Sequence, residues 1–346
     1  MLLIATLFES NPLLLVVFAI AIVFMLILDL GIFNKKAHTV SNKEAATWTV
    51  IWISLSMIFS GLIWWGAGFE KFAQFQSAYW IEKALSVDNL FVFILVFTFF
   101  KLDNKLQHRV LFWGIIGALV FRAIFIFSGI GLIKMTYLPS FELFGWQFTL
   151  SDAATQHADF QNKIFFRPNA VLTLFGLFLV WAGIKSIGGG EEEEKEDYDK
   201  SFGARLLGKF LPLHNEYVDN HFVTRINGKL FATRLMLVLV VIESTDLIFA
   251  VDSIPAIFAI APDDPFILYT SNIFAILGLR SMYFLLANSI DMFSKLKYGL
   301  AIVLTFIGVK MLIAPFYHFP STISLSIVVG ILAVSILLSV LSKKEG

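Results

Sequence analysis

Long apolar runs constrain the fold of this chain more than any other feature of its sequence. Hydrophobic residues occupy 58% of the 346 positions and charged residues only 15%, which is far less polar than a soluble protein of this length. Runs of about 18 or more apolar residues can cross a bilayer as helices. Such runs lie near positions 12–33, 47–66, 78–100, 110–133, 170–187, 235–260, 266–288, 298–315 and 321–341. We predict an all-α membrane protein, a single polytopic domain over residues 1–346 with about nine transmembrane helices.

Basic residues are distributed unevenly between the predicted loops. The loops after the first, third, fifth and seventh spans, and the C-terminal tail, are richer in Lys and Arg than the loops between them. The positive-inside rule therefore places the N-terminus outside and the C-terminus inside. The segment 188–234 is then cytoplasmic, an acidic linker followed by a basic amphipathic stretch at 202–211 on the membrane face. The segment 134–169 becomes a longer outer, periplasmic loop.

The third and sixth spans carry polar residues at matching positions. The aligned pairs are Glu82 with Asp246, Asp88 with Asp252, and Asn89 with Ser253. The two spans are predicted to run in opposite directions, so the matched sequences indicate an inverted-topology repeat. Spans 3–5 and 6–8 would form its two units. In this alignment Arg122 of the fourth span corresponds to Arg280 of the seventh. Inverted repeats with a polar site near the bilayer midplane are typical of secondary transporters.

The acidic residues within these spans predict an ion site. A carboxylate at the bilayer centre costs about 2.5–3.5 kcal/mol on insertion scales, so we expect it to have a charged or polar partner or a functional role. The candidate ligands are all oxygen donors: Asp29, Glu82, Asp88, Asn89, Glu243, Asp246, Asp252 and Ser253. Hard oxygen ligands suit Mg²⁺, Ca²⁺ and Mn²⁺, and the absence of cysteine excludes thiolate sites.

Helix geometry does not bring all of these acids to one face. Glu82 and Asp88 are six residues apart, as are Asp246 and Asp252, which separates each pair by about 120° around an ideal helix. Pro255 predicts a bend in the sixth span, because proline cannot donate a backbone hydrogen bond. Such a bend would free backbone oxygen beside Asp252.

Two roles are open for the charged groups. Intramembrane carboxylates can exchange protons with metal cations, and Arg122 and Arg280 are candidate counter-ions that neutralise the site when it is empty. The alternative is that the acids and arginines form fixed ion pairs that join the helices.

At these residues the sequence resembles the TerC family of integral membrane proteins. The resemblance covers nearly the whole chain and is carried by residues 28–31 (LDLG), 82–93 (EKALSVDNLFVF), 109–114 (RVLFWG), 243–256 (ESTDLIFAVDSIPA) and 269–280 (YTSNIFAILGLR). It implies a multi-pass protein of the bacterial inner membrane, linked to Mn²⁺ efflux and to metal supply for exported enzymes, with the intramembrane acids as metal ligands. The outer loop at 134–169 is longer than the resemblance implies.

Three functions compete at this point. We expect an exporter of a divalent cation, Mn²⁺ above others, that is not an enzyme and has no resident cofactor. The second hypothesis is a membrane scaffold or assembly factor with a structural ion and an indirect role in tellurite resistance or in metal supply to exported proteins. An intramembrane aspartyl protease is disfavoured, since the chain contains no Gly-x-Gly-Asp motif. The expected partners are the metal ion, protons and the bilayer, not nucleic acid; a homo-oligomer or a periplasmic or membrane partner is left open.

Overall fold

A computed structural model of the chain describes residues 12–33, 41–136, 141–143, 146–149, 163–165, 169–188, 201–262, 264–287, 296–314 and 320–342. The helices are α1 (Pro12–Phe33), α2 (Asn42–Ala67), α3 (Phe69–Phe99), α4 (Asn104–Met135), α5 (Ala170–Gly188), α6 (Phe202–Phe210), α7 (Arg234–Phe258), α8 (Pro265–Ile276), α9 (Leu279–Ala287), α10 (Leu296–Ile313) and α11 (Ser321–Ser342). Short strands form two small sheets: β1 (Phe141–Leu143), β2 (Trp146–Thr149) and β3 (Lys163–Phe165), and an antiparallel pair, β4 (Val223–Ile226) and β5 (Lys229–Ala232). The predicted all-α class is confirmed.

Every predicted apolar run coincides with helix, with two differences in detail. The run at 266–288 is a broken pair, α8 and α9, bent by 42°. The break passes through Gly278, whose φ of +89° is a conformation that favours glycine. Helix α3 begins at Phe69 rather than near 78, and polar side chains in its N-terminal part have partners on neighbouring elements. Among these contacts, Gln76 Nε2 donates to Ser60 Oγ on α2 at 2.7 Å.

By length and apolar composition, three helices can cross a membrane unaided, over Asn42–Ala67, Lys105–Met135 and Ser321–Ser339, and the bent pair is a fourth candidate. Shorter apolar helices lie at Leu13–Leu28, Ala170–Ser186 and Tyr298–Ile313. Helices α3 and α7 carry too many charged residues to pass as uniformly apolar spans. The number of crossings, their orientation and the inverted repeat therefore remain predictions.

Helix α3 lies at the centre of the packing. It contacts α2, α7, α8, α9 and α11, while α4 packs against α7 and α8. The two helices that carry the matched acids, α3 and α7, thus touch each other directly. Large apolar side chains on the outer faces are exposed, including Ile20, Ile58, Ile124, Leu174 and Leu337. Exposed apolar faces around a buried polar centre are the arrangement expected in lipid.

Helix α6 forms within the predicted amphipathic stretch at 202–211. Its N-terminus is capped by Ser201, whose Oγ accepts from the Ala204 amide at 3.3 Å. Gly203 lies directly against Ser244 and the Val240 carbonyl of α7, while Phe202 and Phe210 remain exposed. The predicted acidic linker falls mostly outside the described residues. Of the predicted outer loop, the structure describes chiefly the strands β1 to β3.

Helices α5 and α10 approach until their backbones touch. A Cβ added to Gly308 would lie 2.7 Å from both the Gly176 carbonyl oxygen and the Val180 nitrogen, and one added to Gly183 would lie 2.7 Å from the Ala301 carbonyl oxygen. Gly176 pairs with Gly308 and Gly183 with Ala301, so the two helices run antiparallel. Small residues that allow close backbone contact are the usual means of packing helices in membranes.

This contact predicts that Gly308→Ala destabilises the protein by about 1–3 kcal/mol, because the added methyl group meets backbone atoms that cannot rotate away. Matched controls are Gly61→Ala in α2 and Gly131→Ala in α4, where nothing lies within 4 Å of the added Cβ. The controls should be neutral or gain up to about 1 kcal/mol from the higher helix propensity of alanine. The midpoint of thermal unfolding in detergent measures the difference. Equal midpoints for Gly308→Ala and the controls would contradict the close contact.

Candidate functional site

Arg122 lies at the centre of a buried polar cluster that joins four helices. The side chain projects from α4 and is fully buried. Its Nη1 donates to Glu82 Oε1 on α3, and its Nη2 donates to Asp246 Oδ1 on α7 at 3.5 Å. The same Nη1 lies 3.4 Å from Asn272 Oδ1 on α8. The two acids that the sequence alignment pairs across the repeat therefore meet at a single guanidinium group.

The charges of this cluster do not cancel by simple counting. With both carboxyl groups ionised, Glu82, Asp246 and Arg122 together carry a net formal charge of −1. Glu82 is fully buried and Asp246 is only 7% exposed, so bulk water does not screen the charges as it does at a protein surface. Charges in such surroundings depend strongly on their partners, and removing one partner leaves the others uncompensated.

Glu243 lies beside this cluster, one helical turn before Asp246 on α7. Its carboxyl group packs directly against Gly117 of α4, where the Cβ of any other residue would collide with it, and against Gly114. The glycines thus open a space on α4 that the carboxyl group fills. Glu243 Oε2 is buried without a hydrogen-bond partner among the described residues.

Several other buried oxygens on α3 and α7 also lack partners within the described part of the chain. They are Glu82 Oε2, Ser86 Oγ and Ser253 Oγ. Glu82 and Ser86 share a face of α3, being four residues apart. Each buried acceptor without a donor costs on the order of 1–3 kcal/mol, so such groups call for a functional or structural explanation. A hard cation satisfies oxygen acceptors of this kind.

The eight predicted ligands are brought together only in part. Glu82 and Asp246 share Arg122, with Glu243 adjacent, while Asn89 and Ser253 are buried at 5% and 2% exposure. The side chains of Asp29, Asp88 and Asp252 lie outside the described residues, so their roles remain predictions. In the part of the chain that is described, no group of three or more His, Cys, Asp or Glu residues is placed to hold a metal ion.

The two candidate counter-ions have different surroundings. Arg122 contacts both matched acids, as a counter-ion would. Arg280, near the start of α9, is 2% exposed, and its Cζ lies 6.0 Å from the centroid of the Phe112 ring on α4. Pro255, which predicts a bend in the sixth span, lies inside α7, and the helix continues past it to Phe258.

Sequence reasoning missed two residues of this region, Lys83 and Asn272. Lys83 is 4% exposed, and its Nζ donates to the Ala275 carbonyl oxygen of α8 at 3.1 Å. A lysine within an apolar span is as unusual as an acid there, and that signal could have identified it. Asn272 lies in an apolar run with no comparable signal, and only the packing of α8 on α4 shows its position beside Arg122.

The fold and the buried polar cluster define a polytopic, all-α integral membrane protein. Residues 67–346 match the model of the TerC family, described as an integral membrane protein family, and the chain belongs to that family. It is 41% identical over 326 residues to an uncharacterized membrane protein of Myxococcus xanthus, covering 94% of this chain and 91% of that protein.

Two further relatives cover nearly the full length of both chains. The Escherichia coli K12 protein named "Putative membrane-bound redox modulator Alx" is 41% identical over 343 residues, covering 95% of each chain. An uncharacterized membrane protein of Rickettsia bellii is 37% identical over 329 residues, covering 95% of this chain and 97% of its own. No solved structure matches the chain.

The buried cluster predicts that Arg122→Met lowers the free energy of unfolding by about 3–5 kcal/mol, because two buried carboxylates lose their cation. The double variant Glu82→Gln/Arg122→Met should lose less, since one of those charges is also removed. Lys209→Gln, on the exposed face of α6, is the control and should be neutral. Thermal unfolding of the purified variants gives the comparison. Additive losses in the double variant would show that Arg122 and Glu82 are not coupled.

Proposed function

We propose that this protein exports a divalent metal cation, with Mn²⁺ as its substrate, through an intramembrane site centred on Glu82 and Asp246. The observation that carries the proposal is the position of Arg122 between two acids from matching places in the predicted repeat. A fixed ion pair that only joins helices would need one acidic residue beside Arg122. Two acids from opposite repeats around one cationic side chain are the arrangement of a cation site in which arginine takes the place of the substrate.

Exchange between Arg122 and the metal would follow from charge. A divalent cation between the Glu82 and Asp246 carboxylates neutralises both, whereas the guanidinium group neutralises one. Metal binding therefore requires Arg122 to move away from the carboxylates. Its return would displace the metal, which would prevent the site from holding its substrate too tightly for release.

The helix packing supports the inverted repeat that this mechanism needs. The contacts α3–α7, α4–α8 and α5–α10 each join helices that correspond across the repeat, and the α4–α7 contact has a counterpart in the packing of α3 on α8 and α9. The break between α8 and α9 adds a discontinuous helix beside the site, which is a recurring device of transporters. Alternating access would then move one repeat against the other.

Polar contacts close the helix ends on both sides of the site. On the predicted outer side, Lys71 Nζ of α3 lies 2.5 Å from Asp264 Oδ2 at the start of α8. On the predicted inner side, the Tyr283 hydroxyl of α9 donates to Gln107 Oε1 of α4 at 3.1 Å. In this enclosed arrangement Arg122 contacts both carboxylates. Opening to either side would break one of the polar contacts at the helix ends.

Mn²⁺ fits the donor set and the family resemblance. Carboxylate, amide and hydroxyl oxygens suit Mn²⁺, Mg²⁺ and Ca²⁺, and the chain has no cysteine to favour softer metals. The resemblance to the TerC family implies Mn²⁺ efflux across the bacterial inner membrane. The name of the Escherichia coli relative refers to redox modulation. Without cysteine, a redox effect of this chain would act through the metal that it moves rather than through thiols.

The second candidate is a membrane scaffold, and the same cluster favours it in one respect. Arg122 is fully buried and contacts α3, α7 and α8 at once, as a permanent clamp between helices would. In that case, the metal would not compete with the arginine. The two functions therefore differ in what Mn²⁺ does to a variant that lacks Arg122.

Metal flux into liposomes tests export directly. Wild-type protein should move Mn²⁺ in preference to Ca²⁺, Mg²⁺ and Zn²⁺ under an imposed proton gradient or membrane potential. Glu82→Gln and Asp246→Asn should lower the flux by about tenfold or more, because each removes a charged ligand, and Asp88→Asn and Asp252→Asn should do the same. Glu216→Gln, at a carboxylate whose side chain is 81% exposed, is the control. Wild-type flux equal to that of empty liposomes under every gradient would reject transport and favour the scaffold.

Competition between Arg122 and the metal can be measured without flux. Arg122→Met should bind Mn²⁺ about tenfold more tightly than the wild type, because the competing cation is gone, and Mn²⁺ should raise its unfolding midpoint. Glu82→Gln/Arg122→Met should show neither effect. A permanent clamp predicts instead that Mn²⁺ does not stabilise Arg122→Met.

A further inference from the structure

We propose that Lys83 is a positioning residue that fixes the break between α8 and α9 and thereby holds Asn272 at the cation site. The inference deepens the proposed function and rests on it for its meaning, although the structural role can be measured separately. Lys83 takes no part in the exchange between Arg122 and the metal. It is nevertheless one of the most buried basic residues in the described part of the chain.

Lys83 supplies a hydrogen-bond donor to a backbone carbonyl group at the end of α8. The last carbonyl groups of a helix have no amide within that helix to bind. Helix α8 ends at Ile276, and Ala275 is fully buried, so its carbonyl oxygen is shielded from water. Lys83 Nζ donates to this oxygen at 3.1 Å from α3. A helix can end inside the bundle here because a side chain from another helix supplies the missing donor.

The contact between Lys83 and Ala275 is one of two connections between α3 and α8 at the candidate site. Asn272 and Ala275 are three residues apart and share a face of α8. Asn272 lies against Arg122, Arg122 donates to Glu82, and Glu82 is the neighbour of Lys83 on α3. Two adjacent residues of α3 therefore hold α8 at successive turns, Glu82 through Arg122 and Lys83 directly. Loss of the Lys83 contact would free α8 to shift away from Arg122.

The other side of the break is fixed by α2. A Cβ on Gly278 would lie 2.7 Å from the Trp52 indole, so the chain passes the ring too closely for any other residue. Trp52 Nε1 donates to Ser281 Oγ in the first turn of α9 at 3.3 Å. With Trp52 holding the start of α9, Lys83 is the contact that determines where α8 ends.

The experiment uses a cysteine at the break, since the natural chain has none. Leu277 is 3% exposed, so Leu277→Cys should react slowly with N-ethylmaleimide in otherwise wild-type protein. Adding Lys83→Met should speed the reaction by about tenfold or more, because the end of α8 opens when its donor is lost. Lys83→Arg retains a donor and should keep the cysteine protected. Lys310→Met removes another buried lysine, on α10, and should also leave it protected.

The labelling rates of these variants distinguish a specific role of Lys83 from a general effect of losing a buried lysine. Equal labelling of Leu277→Cys with Lys83 and with Lys83→Met would overturn the proposal, as would equal acceleration by Lys310→Met or by Lys83→Arg. If Lys83→Met does not fold, Lys83→Ala, which also lacks a donor, takes its place with the same expectation. The labelling does not require metal transport. A protein that fails to move Mn²⁺ but shows the predicted labelling would therefore lose the proposed function and keep the positioning role.

Discussion

The buried guanidinium group of Arg122 determines how the central helices can be arranged. It comes from α4 and contacts α3, α7 and α8, so none of the four can shift far without leaving a charge unpaired. Their packing is therefore fixed by charge as well as by apolar contact. In a bilayer, where apolar surfaces gain little by leaving lipid for one another, such polar contacts carry a larger share of the specificity.

In the proposed cation site, the same interaction would allow both a stable fold and exchange of the bound ion. A cluster of two acids and one arginine is satisfied well enough to fold but retains acceptor atoms without donors, such as Glu82 Oε2. A fully neutral, fully bonded cluster would offer nothing to an incoming cation. A cluster with no internal cation would leave two carboxylates bare in a low-dielectric medium. The observed arrangement lies between these extremes.

The acids of the site were predictable from sequence, whereas the groups that position them were not. Glu82 and Asp246 stand out because carboxylates are rare in apolar runs and because the two align. Arg122 was identified for the same reason, as a candidate counter-ion. The break at Gly278 was missed, since a glycine in an apolar run predicts no particular bend, and the Trp52 ring that lies against it comes from a helix far away in the sequence. Lys83 carried a signal, but its partner is a backbone oxygen that no sequence pattern identifies.

The contact between α5 and α10 limits how the predicted repeats could move. Their backbones meet at Gly176 and Gly308, which leaves little room at these positions to absorb a displacement. If these helices are the third members of the two repeats, the two repeats are in direct backbone contact there. Sliding one repeat past the other would drive backbone into backbone. Rotation about the line of backbone contact would avoid this collision. The line through these glycines would therefore act as the hinge axis, and the largest displacements would fall on the helices farthest from it.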